Sequence, residues 1–174
     1  AVGLLRSSFR PPAQVCALRS LWRHRDMLVR CAASHVQHMQ KALTQMNIQL
    51  HHVISDLTGR TGMDIVDAIL AGERDPQKLA ALRDHRIKAD VATIAKSLLG
   101  DWKAEHLFTL RQARAIYAHY QEMIAGCDAE IALHLRKFQS RIDPQLQPVP
   151  ARTTSHVRPQ RNEPSFNLRG ELYR

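Results

Sequence analysis

Apart from Arg25, an apolar residue recurs from Val15 to Leu57 in alternating steps of three and four: Val15, Leu18, Trp22, Val29, Ala32, Val36, Met39, Leu43, Met46, Leu50, Val53 and Leu57. This is the a/d seam of a coiled coil held for about six heptads, because a 3.5-residue repeat keeps one stripe turned toward a partner. Neither Gly nor Pro occurs between Ala13 and Thr58, so nothing in that stretch breaks a helix. The spacing predicts a first helix over 12–57, roughly 65 Å long. Such a helix needs another long helix to bury its stripe.

A second seam supplies one. Leu110, Ala113, Tyr117, Tyr120, Ile124, Cys127, Ile131, His134 and Phe138 repeat the same steps and predict a helix from Lys103 to Gln139, roughly 55 Å long. Gly126 lies inside it and suggests a close helix approach. Between the two seams, short helices are punctuated by turn and cap residues. Thr58–Gly62 stops helix one, and Thr61 with Asp64 reads as a capping arrangement. Gly72 ends the helix that follows, Asp75-Pro76 starts the next, and Asp90 opens a third that Gly100 stops. The expected fold is all-α: a long antiparallel two-helix coiled coil, a knob of short helices between its long helices, and an extended tail. The tail, 141–174, is rich in Pro and Arg, and Phe166, Leu168, Leu172 and Tyr173 near its end look like the start of another element.

Charge is placed unevenly. The net charge is +9, and Arg6, Arg10, Arg19, Arg23, Arg25 and Arg30 face only Asp26 among the first residues of the chain. A second basic cluster, Arg141, Arg152, Arg158, Arg161, Arg169 and Arg174, lies in the tail. Between Cys31 and Ser55 there is one Lys and no acid. Basic ends on a neutral rod point to a polyanion, with nucleic-acid phosphate the leading choice. The uncharged flanks of helix one also imply that more than one of its faces is packed, as in a homo-oligomer.

Catalytic and metal signatures are weak. The ten histidines include the pairs His35/His38 and His51/His52, but no acid lies in register to complete a ligand set. The acids of the knob, Asp64, Asp67, Glu73, Asp75, Asp84, Asp90, Asp101 and Glu105, are nearly matched by basic residues, and Asp75 and Asp90 have capping roles. Cys16, Cys31 and Cys127 are widely spaced without a Cys-x-x-Cys pair, which suits free thiols in a reducing, cytosolic protein. No apolar run approaches the roughly 18 residues of a membrane span, so no membrane partner is expected. Neither a cofactor nor a metal is expected in this chain.

Several local strings, taken in order, point to a family. They are GLLRSSFRPP from Gly3 to Pro12, LRSLWRHRDMLVR from Leu18 to Arg30, HMQKAL from His38 to Leu43, LAGERD from Leu70 to Asp75, HLFTLRQ from His106 to Gln112, and Arg158-Pro159 with NEPSF from Asn162 to Phe166. The chain resembles, over essentially its whole length, the DEDD insertion-sequence transposases of the "one-ten" family. That resemblance implies a bacterial, cytoplasmic, RNA-guided DNA recombinase. Its RuvC-like domain holds Mg2+ through a set of acids, its middle is a coiled coil, and its C-terminal domain carries a serine nucleophile. By that alignment this chain is the central region alone. Residues 1–12 are a loop leaving a missing N-terminal domain, 13–140 the coiled-coil domain, and 141–174 a linker toward a missing C-terminal domain. No catalytic residue is carried over, and Ser7 and Ser8 are not the nucleophile. The expected partners are DNA, a guide RNA and further copies of the chain. Arg6, Arg10, Arg19, Arg23 and Arg30 are the candidate phosphate contacts. Arg25, on a seam position, is the candidate for a carboxylate partner across an interface. The competing readings are a self-contained coiled-coil adaptor or oligomerisation protein without enzymatic activity, and a small basic DNA-binding protein acting alone.

Overall fold

The computed structural model describes residues 11–140, 142, 146–150 and 162–173. Their regular structure is entirely helical, as the seams require: α1 (Ala13–Gln45), α2 (Leu50–Val53), α3 (Arg60–Leu70), α4 (Pro76–Ala81), α5 (Val91–Ser97), α6 (Ala104–Arg136) and α7 (Leu168–Tyr173). The two long helices have 33 residues each, roughly 50 Å. The chain divides into two compact units, Arg30–Gln121 and Ala1–Val29 with Glu122–Arg174.

In the unit Arg30–Gln121, one apolar core gathers Met39, Leu43 and Met46 from α1 and its end, Leu50 from α2, Ile65 and Ile69 from α3, Leu79 from α4, Ile94 from α5 and Leu110 from α6. The uninterrupted first helix expected to Leu57 does not exist. Asn47 adopts φ +59°, and the N–H groups of Asn47 and Ile48 donate to the carbonyls of Thr44 (2.9 Å) and Leu43 (2.9 Å). That is a Schellman stop with Asn at the left-handed position and Ile48 packed back on the helix. Leu50, Ile54 and Leu57 are buried beyond the break, so burial of the stripe continues although the helix does not.

The short helices follow their caps. Asp75 accepts from the Gln77 N–H (2.9 Å), with Pro76 in the first turn, and Asp90 accepts from the Thr93 N–H (2.7 Å). Gly72, at φ +106°, closes α3 as expected, since a left-handed residue there is best glycine. Two expectations fail. Gly59, not Thr61, is the N-cap of α3; Thr61 is buried, and its hydroxyl instead accepts from the Asp84 N–H (2.8 Å). Gly100 is not a left-handed stop. It lets the backbone approach α1's end, because a Cβ there would lie 2.4 Å from the Met46 carbonyl oxygen, and the neighbouring Asp101 N–H donates to that oxygen (2.8 Å).

In the other unit, the start of α1 and the end of α6 bury Leu28, Ile124, Ile131 and Leu135 around an ion pair. Arg25 and Asp128 are both almost wholly enclosed, and the Asp128 carboxylate takes the guanidinium through two bonds, one of them from Nη2 at 3.4 Å. It also accepts from the Ser165 N–H (2.9 Å), which fixes the segment leading into α7. The buried stripe of α6 is thus Ile124, Asp128, Ile131 and Leu135. The expected seam positions Cys127, His134 and Phe138 are only half-buried, since a straight helix at 3.6 residues per turn drifts from a 3.5 repeat. Gly126 is exposed, and a Cβ there would meet nothing within 4 Å, so it marks no close approach. Within each unit, later residues of α1 face earlier residues of α6. Leu18 lies with Ile131 and Leu135 in one unit, and Ala42 with Thr109 and Ala113 in the other.

Candidate nucleic-acid interface

Arg19 and Arg23 lie one turn apart on α1, where an i, i+4 spacing places them on one face, and both are exposed. Between them in sequence stands Trp22, 39% exposed. A hollow of about 390 Å3 opens beside the three, lined otherwise by Leu18, Ile131, Leu135, Leu168 and Leu172. The Arg25 guanidinium carbon lies 5.8 Å from the Trp22 ring centroid, and Asp128 holds that guanidinium in place. Arg30 is exposed in the other unit. Arg6 and Arg10 lie outside the described residues, as do Arg141, Arg152, Arg158, Arg161 and Arg174 of the basic tail.

The seam residues divide by depth. Met39, Leu43, Met46, Leu50, Ile124 and Ile131 are buried, whereas Leu18, Val29, Val36, Tyr117 and Tyr120 are half-buried. Sequence reasoning found Arg25 but missed its partner, Asp128. The available signal was an acid four residues after Ile124 and three before Ile131, on the buried stripe of the second helix, in a chain whose first seam holds one unmatched arginine. Leu168 and Leu172 lie on α7, a further element as the end of the tail suggests, and they wall the hollow.

The histidine pair His35 and His38 packs against an aromatic ring. His35 stacks on Tyr120, with ring centroids 5.5 Å apart, and meets His38 edge-on at 5.3 Å. Burial, with the neighbouring His38 adding to it, holds His35 below the usual imidazole range. Its Nδ1 is buried without a hydrogen-bond partner. Among the described residues no group of three or more His, Cys, Asp or Glu could hold a metal ion.

The acids of the short helices are engaged structurally. Asp67 takes Arg114 through two bonds of 2.8 and 2.9 Å. Arg86 beside Asp84 holds that carboxyl well below the usual range. Glu73 accepts from the N–H groups of Arg74 and Asp75. The cysteines are free, and burial, reinforced by Asp128, pushes the Cys127 thiol up, away from the reactive thiolate. Among the described residues no helix is long and apolar enough to cross a membrane. The arrangement presents two exposed cations, Arg19 and Arg23, beside a partly exposed aromatic ring, Trp22. The chain matches no known family model, no curated protein and no solved structure.

Proposed function

We propose that this chain is the central helical segment of an insertion-sequence recombinase of the "one-ten" type, acting in subunit association, domain spacing and contact with DNA and guide RNA. On this reading α1 and α6 pair as an antiparallel coiled coil, which the opposed order of their contacts within each unit supports. Catalysis belongs to domains outside this chain, including the one the resemblance assigns to Mg2+. The observation that carries the nucleic-acid part is the exposed pair Arg19 and Arg23 beside Trp22, on a body in which Asp67, Asp75, Asp84, Asp90 and Asp128 are engaged in caps and ion pairs. Lysine or arginine contacts to phosphate release counterions, so affinity falls steeply with salt.

The test is a titration of the full chain with nucleic acid across a range of salt concentrations. Binding should weaken linearly on a log–log plot, and the double variant Arg19→Ala/Arg23→Ala should reduce the slope by about two. A salt-independent affinity, or an unchanged slope in that variant, contradicts the reading. Sedimentation equilibrium should find a self-associating species. Strand cleavage by the purified chain would overturn the assignment of catalysis elsewhere.

A further inference from the structure

The hollow at Trp22 has a composition that selects its occupant. We infer that it receives an unpaired base of single-stranded DNA, whose flanking phosphates lie on Arg19 and Arg23; this rests on the nucleic-acid reading above. The hollow is open to solvent, with Trp22 39% and Leu172 66% exposed. An aromatic ring and aliphatic side chains form its walls, and among the described residues Arg19 and Arg23 are the charged residues of its lining. An apolar peptide would fill the space yet leave two guanidiniums without counter-charge. A nucleotide strand brings a flat apolar face and a phosphate on either side of it, which is the combination of aromatic platform and cationic flank that single-strand binders use.

The indole is also fixed in advance. Arg25 braces it at 5.8 Å, and Arg25 in turn is held by the buried Asp128 carboxylate. A platform already ordered loses little freedom on binding. In a duplex the base faces are covered by their stacked neighbours, so the hollow discriminates for a single strand. It discriminates for DNA as well. The 2′-hydroxyl is the group by which a protein recognises RNA, and among the described residues the lining offers no carboxylate, amide or hydroxyl side chain to accept from it.

The experiment uses the full chain and a short oligothymidylate, its duplex with oligoadenylate, and oligouridylate. Stacking should quench indole fluorescence on addition of oligothymidylate and leave it unchanged with the duplex. Trp22→Ala should weaken oligothymidylate binding roughly tenfold with its salt slope intact, and Trp22→Phe should retain most of the affinity. Trp22 is partly covered, so an unchanged far-ultraviolet circular dichroism spectrum of Trp22→Ala is required to show that the variant is folded. Wild-type affinity in Trp22→Ala, equal quenching by the duplex, or equal or tighter binding of oligouridylate overturns the inference. Binding of all three nucleic acids without quenching removes the base site and leaves the phosphate reading standing. Absence of binding to any of them at low salt removes both.

Discussion

The same helix serves two different environments. In the unit Arg30–Gln121 the stripe of α1 meets α6 and the short helices together, and Met39, Leu43 and Met46 are sealed at 0–1% exposure. In the other unit the stripe meets α6 and α7, a charged pair sits at its centre, and Trp22 is left 39% exposed. The heptad repeat is therefore no guide to how deeply a position is buried; what covers the stripe decides that. Where short helices cover it, the stripe builds a core. Where they do not, it holds together with a hydrogen-bonded ion pair and keeps an aromatic ring available to solvent.

This contrast is open to breakage by mutation. The largest effect is expected at Ile69→Ala, which empties a fully enclosed site and should cost about 4 kcal/mol. It should appear as a lower urea midpoint at unchanged slope. Leu18→Ala, at a half-buried position of the other unit, should cost less than about 1 kcal/mol, since little apolar area is lost. Equal costs at the two sites would end the distinction.

Next comes Asp128→Ala, which leaves Arg25 enclosed without its counter-charge and should cost about 3 kcal/mol, whereas the double change Arg25→Met/Asp128→Leu should be neutral or stabilising. A double variant worse than the single one would mean that the pair contributes more than its mutual neutralisation. Smaller still is Asp90→Ala, expected to cost about 1 kcal/mol through loss of the cap on α5. Chemical denaturation measures both.

The smallest effect is a pH slope in the well-packed unit. His35 is held below its ordinary value of 6.5, so the folded chain takes up a proton there less readily than the unfolded chain. Its contribution is complete above about 6.5 and is lost as pH falls through that value toward the lower folded one. His35→Phe should flatten the fall in unfolding free energy over that window. An unaltered slope would remove His35 from the account.

Much of this was legible in the residues. The caps at Asp75-Pro76 and Asp90 and the left-handed Gly72 carry local chemistry that tertiary packing left in place. The end of α1 was not read, because Leu50 and Leu57 continue the apolar period on the far side of a break. The signal lay in Asn47 followed by Ile48, a left-handed residue and a hydrophobe that close a helix together. Thr61 misled for a related reason: a hydroxyl suited to capping is equally suited to a tertiary hydrogen bond, and only the position of Asp84 decides between them. At the candidate interface, Arg19 and Arg23 are exposed. Trp22 falls on the seam by spacing yet stands half outside it, since spacing does not state what lies opposite.

Hydrogen exchange of the full chain, with and without a single-stranded oligothymidylate, tests most directly whether one helix holds stability at one end and recognition at the other. Without nucleic acid, amides of residues 36–45 should exchange only with global unfolding, and those of 13–24 markedly faster. On binding, added protection should fall on 13–24 and leave 36–45 unchanged. Uniform protection along α1 in the free chain, or ligand protection confined to 36–45, would contradict it.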